Sequence, residues 1–126
     1  MLIVDTDILI DAARRIAQAV DYLELAEAEP GLAISAVTQM ELLVGARDKQ
    51  AQRNIERFLT RFTVIKLNAS ITDRTYDLLI RYRLSHGLAI ADALIAATAI
   101  VTSQPLATKN QKDFRFIKGL TLRSYP

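Results

Sequence analysis

The sequence has 126 residues, of which 51% are hydrophobic and 24% are charged, a balance typical of one folded globular domain and not of a disordered chain. It has no cysteine and one histidine, which excludes disulfides, thiol catalysis and multi-histidine metal sites and leaves oxygen ligands, favouring Mg²⁺ or Mn²⁺. The net charge is +2, but the first thirty residues carry seven acids and two bases, so an acidic region lies within a basic chain.

Short apolar runs alternate with longer helical patterns along the chain, which predicts alternating strands and helices. This alternation predicts a single α/β domain, residues 1–126, with a short, mostly parallel sheet flanked by helices. The expected strands are Leu2–Val4, Leu32–Ile34, Thr63–Leu67, Leu106–Thr108 and a last strand at Leu120–Arg123. The expected helices are one capped by Thr6 or Asp7 and running to Arg15, Ile16–Ala28, one capped by Ser35 and running to Arg47, Lys49–Arg61, one opened by Ser70 with Asp73 and running to Arg83, and Ala89–Thr102. A loop or single turn is expected at Lys109–Phe116.

Three acidic residues occupy positions that ordinary structural roles explain poorly. Asp5 ends the first strand, where Thr6 and Asp7 are equally able to cap the next helix. Glu41 lies on a helix face that is mostly apolar or small, where a carboxylate is costly to bury unless something binds it. Asp92 begins an apolar helical run, so its carboxylate is also expected among apolar side chains. The alternatives stay open: Glu41 at the edge of the apolar stripe reaching water, and Asp92 as a helix cap.

Two further polar residues follow the fourth strand. Asn110 and Asp113 are expected at the same carboxyl edge of the sheet as Asp5, which is where ligands of parallel sheets bind. Turn formation is the ordinary explanation for Asn110. Carboxylates that converge at one edge repel each other, and a divalent ion removes that penalty.

Taken in order, these residues form four motifs that resemble one family. The set resembles the PIN-domain ribonucleases, and in particular the VapC toxins of VapBC toxin–antitoxin pairs. The resemblance covers essentially the whole chain, and it depends on the ordered set because no single motif is specific. The motifs are Asp5-Thr6-Asp7, Ser35 with Glu41-Leu42, the run Ile90–Ala97 around Asp92, and Ala107–Asn110 with Asp113-Phe114.

The resemblance implies a Rossmann-like sheet and an endoribonuclease that depends on Mg²⁺ or Mn²⁺. It places the acidic metal site on Asp5, Glu41 and Asp92, with Asp113 as the candidate fourth acid among the catalytic residues. Asn110 stands where some PIN domains carry Asp, which leaves the fourth ligand open between it and Asp113. The substrate-binding candidates are Thr6, Thr108, Lys109 and Asn110, of which Lys109 stands where many relatives have Arg.

The expected partners are an RNA substrate, a cognate VapB-like antitoxin and a second copy of the chain. Several apolar residues cannot all face one thin sheet, so part of a helix surface is expected at an interface. The resemblance places the antitoxin along the early helices, with a basic residue approaching the acids. No run approaches the ~20 apolar residues that span a membrane, so a cytoplasmic protein is expected. The apolar residues are Ile8, Leu9, Leu42, Leu43 and Val44, and the bases that could contact RNA are Arg47, Lys49, Arg53, Arg57 and Arg61.

Three other interpretations compete with the nuclease. In a haloacid-dehalogenase-like phosphatase, Asp5 would be the nucleophile and Asp7 the general acid, but Leu9 stands where that family expects Thr or Val. A receiver domain lacks a strand-ending Asp in mid-chain to accept a phosphoryl group. A non-catalytic binding module requires that the acids do not converge. Only the nuclease requires Glu41 within reach of a metal bound by Asp5.

Overall fold

A five-stranded parallel sheet forms the centre of the computed structural model, which describes residues 1–126. The strand order is β3-β2-β1-β4-β5, and all four pairings are parallel, as the alternating pattern predicts. The outer strands are shorter than expected, since Lys66 and Leu67 beyond β3 are exposed and leave the sheet. The strands are β1 (Leu2–Val4), β2 (Leu32–Ser35), β3 (Thr63–Ile65), β4 (Leu106–Ala107) and β5 (Leu122–Arg123).

Six helices connect the strands, and a single 3₁₀ turn at Gln111–Asp113 follows β4. All six predicted helices are confirmed, with differences at their ends. No helix combines the length and the hydropathy that crossing a membrane requires. The helices are α1 (Thr6–Ala13), α2 (Ala17–Ala28), α3 (Ala36–Val44), α4 (Lys49–Leu59), α5 (Ala69–His86) and α6 (Ile90–Thr102).

The helix caps differ from the expectations at two places. Asp5 itself caps α1, because its Oδ1 accepts a hydrogen bond from Thr6 N at 2.8 Å, so the assignment of that cap to Thr6 or Asp7 was wrong. Asn68 caps α5 through a 2.9 Å bond from Ile71 N to its Oδ1, which places Ser70 inside the first turn. Both differences arise because several neighbouring polar residues are equally suited to capping, and only the path of the chain selects one.

Apolar side chains cover both faces of the sheet. Leu2 and Val4 of β1 pack with α1 and α2 on one face, whereas Ile3 packs with α5 and α6 on the other. The register pairs Ile3 with Ala33 and Val4 with Ala107, so β1, β2 and β4 end at the same edge. The residues that follow these strands are therefore brought together at the start of the helices.

Candidate active site

Five acidic side chains line one cavity of about 340 Å³ at the carboxyl edge of the sheet. They come from the start of α1, the middle of α3, the first turn of α6 and the turn after β4, and no lysine or arginine lines the cavity with them. The cavity therefore concentrates negative charge without a protein cation to neutralise it. Its lining consists of Asp5, Thr6, Asp7, Ile10, Glu41, Asp92, Ile95, Asn110, Asp113 and Phe114.

Asp5 is the most tightly held of these acids. The residue is 5% exposed, and its two oxygens accept hydrogen bonds from Thr6 N at 2.8 Å and from Thr108 Oγ1 at 2.7 Å. Burial raises the pKa of Asp5 to about 6, and the charges of Asp7 and Glu41 act in the same direction, whereas the two hydrogen bonds oppose the rise. Asp5 is thus both a helix cap and a fixed carboxylate at the bottom of the cavity.

Asp92 faces Asp5 from the first turn of α6. The helix begins at Ile90 after the N-cap residue Ala89, so Asp92 is not the cap, which removes the alternative that the sequence left open. Burial raises its pKa to about 6, followed by repulsion from Asp5, Asp113 and other acids of the cavity. The neighbouring charges that act on Asp92 are all negative, so none of them lowers its pKa.

Glu41 is held over the same cavity by a threonine. Its residue is exposed on α3, yet Oε1 accepts a hydrogen bond from Thr6 Oγ1 at 2.8 Å. Thr6 Oγ1 also lies 3.0 Å from Thr38 Oγ1, a second hydrogen bond. Glu41 is thus exposed to solvent and at the same time held in the cavity that Asp5 lines, as only the nuclease hypothesis requires.

The residues after β4 divide into three roles. Asn110 lines the cavity, where its Nδ2 donates to Asp7 Oδ2, and Asp113 lines it from the end of the 3₁₀ turn. Thr108 is fully buried behind Asp5 and accepts from Asn110 N at 3.1 Å. Lys109 does not line the cavity, because its Nζ pairs with Asp11 Oδ2 at 2.7 Å. Of the four expected substrate contacts, Thr6 and Asn110 reach the cavity and Thr108 and Lys109 do not.

Two polar residues of the site were not among the predicted nuclease residues. Asp7, which the sequence suggests as a helix cap or as the general acid of a phosphatase, lines the cavity beside Asn110. Thr38, for which the sequence suggests no role, contacts Thr6 through its hydroxyl. The signal for Thr38 is its spacing, three residues before Glu41, which places both side chains on one face of α3.

The donor chemistry fits a hard divalent cation. No group of three acidic side chains stands in the geometry of a preformed metal site. However, the polar lining consists of carboxylates, one hydroxyl and one amide, which suits Mg²⁺ or Mn²⁺. Glu41 and Asp113 are exposed, so their side chains have room to close on an ion, whereas Asp5 is fixed. The mutual repulsion of the acids is relieved by such an ion.

The comparisons with known proteins agree with this geometry. The family model described as PIN domain matches residues 2–120. The chain belongs to this family. Ribonuclease VapC10 of Mycobacterium tuberculosis is 39% identical to this PIN-domain protein over 121 residues, which cover 95% of this chain and 90% of that one.

Two solved structures show the same fold as this PIN-domain protein. One, VapBC2 from Rickettsia felis bound to a promoter DNA fragment, has a TM-score of 0.86 and 29% identity and covers 99% of this chain and 98% of that one. The other, a toxin–antitoxin complex from Klebsiella pneumoniae, has a TM-score of 0.79 and 34% identity and covers 96% of each chain. The predicted family and the predicted α/β fold are both confirmed.

Proposed function

We propose that this PIN-domain protein is an endoribonuclease that depends on Mg²⁺ or Mn²⁺ and acts as the toxin of a type II toxin–antitoxin pair. The observation that carries the proposal is the convergence of five carboxylates on one cavity that no cationic side chain lines. The similarity to VapC10, which is named a ribonuclease, supports RNA as the substrate. The similarity to structures of toxin–antitoxin complexes supports the regulatory partner.

In this proposal Asp5, Glu41 and Asp92 hold the ion, with Asp113 as the fourth acid. When bound, a divalent ion activates water near neutral pH and stabilises charge on the phosphate. The carboxylate of Asp5 is fixed in position, because Thr6 N and the Thr108 hydroxyl donate hydrogen bonds to its two oxygens.

The polar side chains beside these acids have different roles in the proposal. Asn110 orients Asp7 and presents its amide to the cavity, and Thr6 orients Glu41. Lys109 lies outside the cavity, so we assign it to its ion pair with Asp11 and not to substrate binding.

RNA cleavage by matched variants tests the activity. The wild type should cleave RNA with added Mg²⁺ or Mn²⁺ and stop when EDTA is added. Asp92→Asn should lose cleavage by at least about a hundredfold, the scale on which metal sites lose activity when their supporting groups are removed. Asp21→Asn makes the same chemical change at an exposed position of α2 and should cleave like the wild type. Equal cleavage by Asp92→Asn and Asp21→Asn would show that the activity is not located at this cavity.

An apolar groove beside the acids is our proposed docking site for the antitoxin. Helices α3 and α4 enclose a groove of about 480 Å³ that is lined mainly by Met40, Leu43, Ile55, Leu59 and Val64. Met40 and Leu43 share α3 with Glu41 but lie on another side of the helix, so a segment that leaves the groove has to pass around α3 to place a basic side chain over the cavity. That side chain would compete with the ion for the same carboxylates.

Only part of the predicted apolar interface is available to such a partner. Ile8, Leu9 and Leu42 lie in the core, whereas Leu43 and Val44 are exposed, so the five apolar residues do not all face the sheet, as expected. Leu43→Glu should weaken co-purification with the co-expressed VapB-like antitoxin. Leu25→Glu, at another exposed leucine on α2, should not. Retention of the antitoxin by Leu43→Glu would exclude the groove.

The exposed face of α5 is our proposed surface for the second copy of the chain. Tyr76, Ile80 and Leu84 follow one another at four-residue spacing and are 66%, 67% and 90% exposed. Asp73, Arg74 and Asp77 are exposed in the first half of the helix and Arg81 and Arg83 in the second half, so the first half carries more acid than base and the second half only base. Antiparallel packing of two α5 helices therefore brings acids opposite bases while it covers the apolar residues, as a two-fold interface requires.

Light scattering of the purified chain tests this surface. The wild type should have the mass of a dimer, Leu84→Glu the mass of a monomer, and Leu25→Glu the mass of a dimer. Asp77→Arg should also weaken the dimer, and the added change Arg81→Asp should restore it, because the two positions exchange charge across the interface. A monomeric wild type, or a dimer that Leu84→Glu leaves intact, would overturn the assignment.

A further inference from the structure

We infer that Thr38 is a positioning residue that orients Glu41 for ion binding through the hydroxyl of Thr6. The inference rests on the proposed function for its consequence, since it concerns the carboxylate that closes the cavity. Thr38 Oγ1 lies 3.0 Å from Thr6 Oγ1, which in turn lies 2.8 Å from Glu41 Oε1. These three side chains form a continuous chain of hydrogen bonds that leads from the interior to the cavity.

The environment of Thr38 differs from that of other helical threonines in this protein. Thr38 is fully buried, and its contact with Thr6 is its one side-chain hydrogen bond. By contrast, the hydroxyls of Thr75, Thr98 and Thr102 bond to the carbonyl four residues earlier in their own helices, at 2.7 to 2.8 Å. The Thr38 hydroxyl instead turns away from its helix backbone and toward α1. This orientation connects the two elements that carry Thr6 and Glu41.

The direction of the hydrogen bonds follows from proton counting. A threonine hydroxyl has one proton and two acceptor lone pairs. The carboxylate of Glu41 accepts only, so Thr6 donates its proton to Glu41, and the oxygen of Thr6 accepts from Thr38. A donor on Thr38 thus favours the one rotamer of the Thr6 hydroxyl that points at Glu41. Without that donor, no group in the interior fixes the Thr6 hydroxyl in the rotamer that points at Glu41.

Glu41 needs such a fixed donor because of its position. Its residue is exposed, and its long side chain has several rotatable bonds whose freedom is lost when it binds an ion. A donor that holds Oε1 at the cavity reduces that loss before the ion arrives. Asp5 needs no equivalent help, since it is buried and bonded at both oxygens. Thr38 therefore acts on ion affinity and not on the reacting atoms themselves.

Titration of the metal-free protein with Mn²⁺ measures this effect without any RNA. Thr38→Val keeps the shape and removes the hydroxyl, and we expect Mn²⁺ binding about fivefold weaker, the equivalent of about 1 kcal/mol at 1.36 kcal/mol per tenfold. Thr38→Ser keeps the hydroxyl and should restore affinity to within about twofold of the wild type. In RNA cleavage, Thr38→Val should lose rate at limiting Mn²⁺ and recover it at saturating Mn²⁺. Urea unfolding of each variant verifies that it is folded, and Thr38→Ala replaces Thr38→Val if the latter is not.

A double-mutant cycle separates positioning from a general effect on the fold. In the Glu41→Gln background, Thr38→Val should change Mn²⁺ affinity by less than about 1.5-fold, because the residue that it orients no longer binds the ion. Thr75→Val removes another buried hydroxyl, one that bonds only within α5, and it should leave the affinity unchanged.

Three results would overturn the inference: wild-type affinity in Thr38→Val, the same fivefold loss in the Glu41→Gln background, or no Mn²⁺ binding by the wild type. Mn²⁺ binding that follows the expected pattern in a chain that cleaves no RNA would overturn the proposed activity and leave the role of Thr38 standing.

Discussion

Replacing Asp5 with asparagine should stabilise the metal-free protein near neutral pH. Burial holds the pKa of Asp5 at about 6 against an ordinary value of 3.8, a difference that corresponds to about 3 kcal/mol of lost stability once the group is ionised. The amide removes that charge but disturbs the hydrogen bond from Thr108, at a cost of about 1 kcal/mol. The net expectation for Asp5→Asn is a gain of about 2 kcal/mol in the free energy of unfolding.

The gain depends on pH in a direction that follows from the raised pKa. Between 3.8 and about 6 the folded wild type binds more protons at Asp5 than the unfolded chain does, so its stability falls as pH rises through this window and levels off above it. Asp5→Asn lacks this contribution, so its advantage should be absent at about pH 4 and complete at about pH 7.5. The pKa of Asp92 is also raised, so the stability of Asp5→Asn should still fall to some extent as pH rises through the same window.

Urea unfolding followed by circular dichroism measures both the size and the pH dependence of this gain. The measurements in EDTA give the stability of the metal-free proteins, and the measurements with Mg²⁺ give the contribution of the ion. At a free concentration of about 100 times Kd, Mg²⁺ should add about 2.7 kcal/mol to the wild type and markedly less to Asp5→Asn, which lacks a ligand. A variant less stable than the wild type near neutral pH in EDTA, or one with an equal Mg²⁺ effect, would refute the shared acidic site.

Three other substitutions test separate parts of the structure. Thr108→Val removes a hydrogen bond that lowers the pKa of Asp5, so the pH midpoint of cleavage should move upward and stability should fall by about 1 kcal/mol, as pH–rate profiles and urea unfolding would show. Asp113→Asn should weaken Mg²⁺ binding in calorimetry about tenfold, whereas the neighbouring change Lys112→Gln should not, and equal affinities would remove Asp113 from the site. Gly87→Ala should lower the free energy of unfolding by about 1 kcal/mol, because position 87 ends α5 at φ +69°, a conformation that alanine disfavours. No atom lies within 4 Å of an added Cβ, so the whole effect should come from the backbone. An unchanged midpoint in urea unfolding would show that this conformation is not strained.

Local patterns in the sequence were sufficient to predict the elements and the principal acids. Strands alternate with helices over the whole chain, and each signal depends on residues within a turn or two of one another. Asp5, Glu41 and Asp92 could be selected because each carboxylate stood in an apolar context where an ordinary role explained it poorly. The placement of Asp5, Asn110 and Asp113 at one sheet edge followed from the rule that parallel strands end together.

Tertiary structure decided the features that depend on residues far apart in the chain. Thr108 bonds to Asp5 across 103 positions and Thr6 to Thr38 across 32, contacts that no local pattern specifies. Lys109 pairs with Asp11 because the path of α1 brings that carboxylate within reach.

Burial was decided in the same way, because it depends on which face of the sheet an element covers. The sheet is covered on both faces, and Leu42 is therefore in the core, whereas Leu84 on α5 remains exposed. A buried leucine and an exposed leucine are the same residue in the sequence, so only the packing of the elements determines which of them a partner can contact.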